Sequence, residues 1–291
     1  MSIDILQEKI RKSKNPIVLD LSFLSEHIPA HIRAERNETQ ATVAYCRELL
    51  QALKGAVCAV RLSFGQFALM GEEGLRGLSE LLILARECGY YVLLDSVEVL
   101  TPWAADRAAK TFLAPDGAFA CDGLVVSPYI GTDAIKPFLP YCKEGKKDLF
   151  FALRTANKSA ADLQDLLTGS RHVHNAAADL VCRFGDGILG KCGYSHLCGL
   201  ASATMPGVLM DLRRKYNRLF LLVDGCDYPS GNAKNCSHAF DRFGHGAAVC
   251  AGPSIAGAWY TAETDGMDFA EQALQAIERL KRNITRYVTI V

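Results

Sequence analysis

The chain has 291 residues, 49% of them hydrophobic and 22% charged, and its 32 lysines and arginines balance 32 aspartates and glutamates. A neutral chain without a basic run offers no electrostatic footprint for nucleic acid or an anionic membrane surface. No apolar run approaches the roughly 18 residues that a membrane span requires, so a cytoplasmic protein with one large core is expected.

The opening "MSIDILQEKIRKSKNP" reads as a charged amphipathic helix and not as a signal peptide. Short apolar runs then recur: "PIVLDL" (Pro16 to Leu21), "AVCAVRLSF" (Ala56 to Phe64), "YYVLLD" (Tyr90 to Asp95), "GLVVSPY" (Gly123 to Tyr129), "DLFFALRT" (Asp148 to Thr155), "CGLASAT" (Cys198 to Thr204), "LFLLVDG" (Leu219 to Gly225) and "GAAVCAG" (Gly246 to Gly252). They are continuously apolar, as parallel strands buried on both faces must be. Helical periodicity fills the gaps. "GEEGLRGLSELLILAREC" (Gly71 to Cys88) places Leu75, Leu78, Leu81, Leu82 and Ala85 on one face, "SAADLQDLL" (Ser159 to Leu167) opens on a serine cap, and "MDFAEQALQAIERLKRNITRYVTIV" closes the chain.

Eight alternations of strand and helix predict a TIM (β/α)8 barrel formed by one domain, residues 1–291. In such a barrel the chemistry sits at the C-terminal strand ends. Those ends carry Ser22, Arg61 with Ser63, Asp95, Ser127 with Tyr129, Arg154 with Thr155, Thr204, Asp224 with Asp227, and Cys250 to Pro253.

The eleven cysteines include no C-x-x-C pair, and several lie in apolar runs, so all are expected to be plain thiols. "RHVHN" (Arg171 to Asn175) spaces two histidines two residues apart, unlike a helical metal pair, and reads as a solvated stretch. "GCDYPSGNAKNCSH" holds cysteine, aspartate and histidine, but no metal or other cofactor is expected.

The segments "KNPIVLDL", "FALMGEEGLRGL", "SPYIGTDAIKPFL", "FALRTANKSAADLQDL", "GYSHLCGLASATMP" and "HGAAVCAGPSIAGAW" run through nearly the whole chain in order. Together they resemble the orotidine 5'-phosphate decarboxylases, in particular the longer bacterial subfamily. The resemblance implies a TIM barrel, a homodimer with active sites at its interface, and conversion of orotidine monophosphate to uridine monophosphate and carbon dioxide without metal or organic cofactor. The family sets a lysine ammonium among aspartates to stabilise the developing carbanion and deliver a proton. It binds the substrate phosphate with an arginine and backbone N–H groups, and that remote binding energy supports the chemical step.

This chain departs from the pattern at the strand ends. Against the family's Asp-x-Lys-x-Gly-Asp stand Asp95, Ser96, Val97, Glu98, Val99 and Leu100, so the proton-donor lysine matches Val97 and the second aspartate Leu100. The preceding strand's lysine matches Arg61, the first strand's ribose-binding aspartate Ser22, and the base-reading serine Ala156, although Thr155 and Asn157 remain. The phosphate arginine matches Pro253, which supplies neither charge nor N–H. The glutamine of the turn after the seventh strand matches Pro229, beside Asp224 and Asp227. Lys110 and Lys191 read as surface lysines.

Asp95 and Arg61 are therefore the candidate catalytic remnants, and Thr155, Asn157 and Ser22 the candidate substrate-binding residues. Asp95 is either a retained catalytic or ligand-orienting carboxylate, or it caps the following loop or pairs with Arg61. Trp103 either plugs the former pocket or packs at an interface. The expected protein is a diverged decarboxylase-like homodimer without the family reaction, with room for a small-molecule ligand at the barrel mouth. The alternatives are a different reaction on the same barrel, using Asp95, Glu98, Asp224, Asp227 or Arg61, and an active decarboxylase with relocated catalytic residues.

Overall fold

The computed structural model describes residues 2–23, 25–95, 101–144 and 146–291. Eight parallel strands close into a barrel: β1 (Ile17–Asp20), β2 (Ala59–Ser63), β3 (Tyr91–Asp95), β4 (Gly123–Val126), β5 (Asp148–Arg154), β6 (Leu197–Ser202), β7 (Leu221–Asp224) and β8 (Ala247–Ala251). Each pairs with its neighbours in sequence, and β8 returns to β1. The eight apolar runs of the sequence coincide with these strands. Closure is what buries both faces: the barrel lumen takes one set of side chains and the helix layer the other.

The helices Glu38–Ala52, Gly71–Glu87, Pro102–Leu113, Val173–Gly185, Pro206–Lys215 and Phe269–Thr285 form most of the outer layer. The expected stripe on Gly71–Glu87 is present, with Leu78, Leu81, Leu82 and Ala85 buried and Leu75 half-buried. Gly77 lets this helix approach Glu38–Ala52 closely, because a Cβ there would run into the side chain of Val43. No helix among the described residues is long and apolar enough to cross a membrane.

The amphipathic N-terminal helix, Ser2–Ser13, lies beneath the barrel. Ile3, Leu6 and Ile10 are fully buried, and the polar side chains between them reach the loops that lead into four strands. Ser2 Oγ donates to Asp122 O before β4, Lys9 Nζ to Gly89 O before β3, Gly246 N–H before β8 donates to Gln7 Oε1, and Cys192 N–H before β6 donates to Asp4 Oδ1. Above this floor Asp148, at the start of β5, accepts from Tyr91 OH at 2.5 Å and sits 2.5 Å from His196 Nδ1, all three residues being buried. Burial pushes the Asp148 carboxyl up, and the His196 and Tyr91 contacts oppose that shift.

The stretch Ser159 to Leu167 does not form the expected α-helix. Lys158–Asp162 is a short 3-10 turn, and Leu167–Thr168 pairs with Arg171–His172 as a two-stranded ribbon. Side chains from this stretch fold back onto the end of β5: Asp165 accepts two hydrogen bonds from Arg154, at 2.8 and 2.9 Å, and Gln164 Oε1 accepts from Thr155 N–H at 2.9 Å. Those contacts compete with helix continuation and win. "RHVHN" is likewise not solvated, for His174 is buried, His172 half-buried, and their rings stack at 5.1 Å. Each ring meets a backbone carbonyl through Nδ1, of Asp165 and Gln164 respectively. All eleven cysteines are free.

Two outcomes follow for stability. Asp148→Ala leaves His196 and Tyr91 buried without their shared partner, and urea unfolding should show a loss of about 3–5 kcal/mol. The Arg154 hydrogen bonds hold the Asp165 carboxyl below its ordinary value. A depressed folded-state pKa contributes stability above the unfolded value of about 3.9 and loses it as pH falls through the folded value. Asp165→Asn should therefore flatten the decline of the urea midpoint below about pH 4, and an unchanged slope would contradict this assignment.

Candidate functional site

The register of the barrel brings charged residues from four strands to one place. Asp20 pairs with Arg61 across β1 and β2, Ser63 with Asp95 across β2 and β3, and Ser202 with Asp224 across β6 and β7. Arg61 is the centre of the group. Its Nε and Nη2 donate to Asp95 at 2.9 and 2.8 Å, and its Nη1 lies 3.3 Å from Asp20 Oδ2 and 3.4 Å from Asp224 Oδ2.

Arg61 is 8% exposed. Burial works against its charge, but the carboxylates of Asp95, Asp20 and Asp224 outweigh that effect and hold it protonated. For Asp20 the balance is reversed: burial lifts its carboxyl above the ordinary range, Arg61 opposes the lift, and the charges of Asp95 and Asp224 add to it. One cation thus serves three carboxyl groups. Asp20 and Asp224 each steady one oxygen with a backbone N–H, from Ser22 at 2.9 Å and Gly225 at 2.8 Å. Gly225 has φ +70°, which suits glycine in the turn leaving β7.

Beside this group lies a cavity of about 250 Å³, lined chiefly by Asp20, Arg61, Asp224, Asp227, Tyr228 and Pro253, with Cys250 beneath. On its β8 side Asp227 performs an unusual task. Its Oδ2 accepts from Gly252 N–H at 2.7 Å and from Ser254 N–H at 3.4 Å, and its Oδ1 accepts from Ser254 Oγ at 2.5 Å. Pro253 stands between those two amides and opens the short helix Pro253–Ala256. The donors that the β8 turn presents are therefore taken by a carboxylate of the chain itself.

The structure joins Arg61 and Asp95 as a two-point ion pair, the structural reading of Asp95. Ser22 borders the cavity, yet the β1 carboxylate facing Arg61 is Asp20, which sequence reasoning passed over. The available signal was a lone charge closing the run "IVLD". Thr155 and Asn157 do not join the group. They sit at the end of β5, across the barrel from β1, where Thr155 Oγ1 donates to Asn157 Oδ1 at 2.6 Å. Val97, Glu98 and Leu100 fall outside the described residues.

Trp103 does not plug the mouth, because it is 69% exposed with the Arg107 guanidinium stacked 5.1 Å from its ring. Lys110 pairs with Asp106 on an exposed helix face, and Lys191 lies under the barrel beside the N-terminal helix, so neither supplies an ammonium to this group. Among the described residues no three His, Cys, Asp or Glu side chains are arranged to hold a metal ion.

No protein-family model matches the chain. Comparison with individual proteins is informative. The chain is 29% identical over 289 residues to an orotidine 5'-phosphate decarboxylase of Clostridium kluyveri, covering 98% of both. Among solved structures it superposes on the OMP decarboxylase of Leishmania donovani with a TM-score of 0.73 and 23% identity, covering 97% of this chain and 98% of that one. It also superposes on the UMP synthase of the same organism with a TM-score of 0.75 and 24% identity, over 96% of this chain and 56% of that longer one. The structural matches establish the shared barrel, and the sequence match extends from end to end. With segments that agree in order along the whole barrel, the chain is similar from end to end to the orotidine 5'-phosphate decarboxylases.

Proposed function

We propose that this protein is a diverged member of the family that does not decarboxylate orotidine monophosphate and instead serves a binding or regulatory role. The observation that carries this reading is Asp227, whose carboxylate sits on the Gly252 and Ser254 donors where family resemblance places the substrate phosphate. A phosphate dianion would have to displace a bonded carboxylate, beside Asp224, with Pro253 in place of the guanidinium that would attract it. Loss of a single oxyanion donor in an enzyme can reduce the rate by about 100- to 1000-fold. Here the phosphate site is altered throughout.

The chemical end supports the same conclusion. The family's reaction needs an ammonium that can give up a proton, and the cation at this mouth is a guanidinium, which keeps its protons at any physiological pH. Arg61 is also engaged by Asp95 through both of its oxygens. We further propose that the chain acts as one barrel domain in the cytoplasm, and that it forms a homodimer in which Trp103 packs at the interface.

A second reading is favoured by the cavity. The space of about 250 Å³ bordered by Asp20, Arg61 and Asp224 has room for a small molecule, and a different reaction on a less anionic substrate would use those groups. Fold alone does not decide between these readings.

Purified protein incubated with orotidine monophosphate should form no uridine monophosphate above the uncatalysed background. Turnover at a rate typical of the family would overturn the main reading, whereas turnover of any member of a metabolite panel would support the second. The electrostatics of the mouth yield a separate expectation. Arg61→Met leaves three carboxylates without their cation and should cost about 3–5 kcal/mol in urea unfolding. Asp224→Asn, which relieves one excess charge while keeping Arg61 paired with Asp95, should match or exceed the stability of the unaltered protein.

A further inference from the structure

Where the loop leaving β1 packs on the segment leaving β8, a buried histidine lacks a partner. His27 closes the 3-10 turn Ser25–His27 and is 8% exposed, and its Nδ1 has no hydrogen-bond partner among the described residues. The ring presses on Gly257, where a Cβ would come within 2.8 Å of His27 Cδ2 and 2.9 Å of Nε2. Gly257 joins the short helices Pro253–Ala256 and Ala258–Thr261. The two segments are also fastened through the backbone, since the Trp259 indole N–H donates to His27 O at 2.8 Å. On its far side the β8 segment is anchored to the helix layer by Tyr45 OH, which donates to Ala256 O at 2.5 Å.

These surroundings suit a neutral imidazole. The helices Pro253–Ala256 and Ala258–Thr261 hold no charged residue, and Tyr260 is their single titratable group. Its ring lies 5.8 Å from that of His27, tilted by 55°. On the β1 side the nearby charged or titratable residues are Glu26, His31 and Arg33. Glu26 favours a proton on His27, but burial opposes it more strongly and holds the imidazole below its ordinary value. A proton on Nδ1 would make a buried donor with no acceptor, which the closed packing penalises.

We propose that His27 is a pH switch, whose protonation releases the β1 loop from the helices after β8 and loosens the mouth where Ser254 meets Asp227. The link is short: Ser254 lies three residues before Gly257 and gives its N–H and Oγ to Asp227. The direction follows from linkage. In an open form the exposed ring titrates near 6.5, whereas the closed form resists the proton, so opening is favoured as pH falls below about 6.5 and is indifferent to pH above it. One proton raises the opening constant by up to about tenfold per pH unit between the two titrations.

The full-length protein, isotope-labelled at histidine, tryptophan and serine, is titrated by NMR from about pH 8 to about pH 5. Trp103→Phe assigns the Trp259 indole, because the chain has two tryptophans. His27 should titrate below about 6.5. Hydrogen exchange at the Trp259 indole and the Ser254 amide, corrected for its intrinsic pH dependence, should quicken about three- to tenfold at the acid end. His27→Gln, which takes no charge, should show no such acceleration. His27 titrating at or above about 6.5, indole exchange that does not respond to pH, or a response that survives in His27→Gln would each overturn the switch. Accelerated indole exchange with an unchanged Ser254 amide would overturn its reach to the mouth. None of these readouts involves orotidine monophosphate, so failure here is distinguishable from failure of the proposed function.

Discussion

A single buried guanidinium among three carboxylates holds the mouth of this barrel together. Arg61 takes Asp95 through two hydrogen bonds and Asp20 and Asp224 through longer contacts, so the ends of β1, β2, β3 and β7 meet on one cation. Such a group is stable only while the cation is present, since ionised carboxylates at low exposure repel one another and have lost much of their hydration. The same balance limits the chemistry. A guanidinium held by carboxylates on three sides does not give up a proton, and the acidic groups around it set the surroundings that any ligand encounters.

The two ends of the barrel solve their polar problems differently. At the floor, the N-terminal helix satisfies strand-leading loops one by one, and Asp148 shares its two oxygens between Tyr91 and His196. At the mouth, charge is in excess and the donors of the β8 turn are met from within by Asp227. In barrels of this kind the floor serves stability and the strand ends at the mouth carry whatever chemistry the fold hosts.

Much of this was legible in the sequence. The eight apolar runs marked the strands because burial on both faces leaves no polar alternation to confuse with a helix. What escaped depended on side chains finding partners far along the chain. Ser22 was taken as the ribose-binding position while Asp20, two residues earlier, faces Arg61. The stretch Ser159 to Leu167 has helical spacing, but Gln164 and Asp165 are drawn back to Thr155 and Arg154. His172 and His174 looked solvated from their spacing and are packed because their rings stack and each meets a backbone carbonyl of Asp165 or Gln164.

The sequence by itself determined the barrel and the resemblance to the orotidine 5'-phosphate decarboxylases, because apolar periodicity and the order of motifs are local properties. Only the tertiary structure decided which charged groups meet at the mouth. Asp227 is separated from Gly252 by 25 residues and Arg61 from Asp95 by 34, and nothing in either neighbourhood names its partner. Barrel closure sets β7 against β8 and β2 against β3, and that placement turns a lone aspartate into the acceptor of the Gly252 and Ser254 hydrogen bonds and a lone arginine into the centre of an acidic cluster.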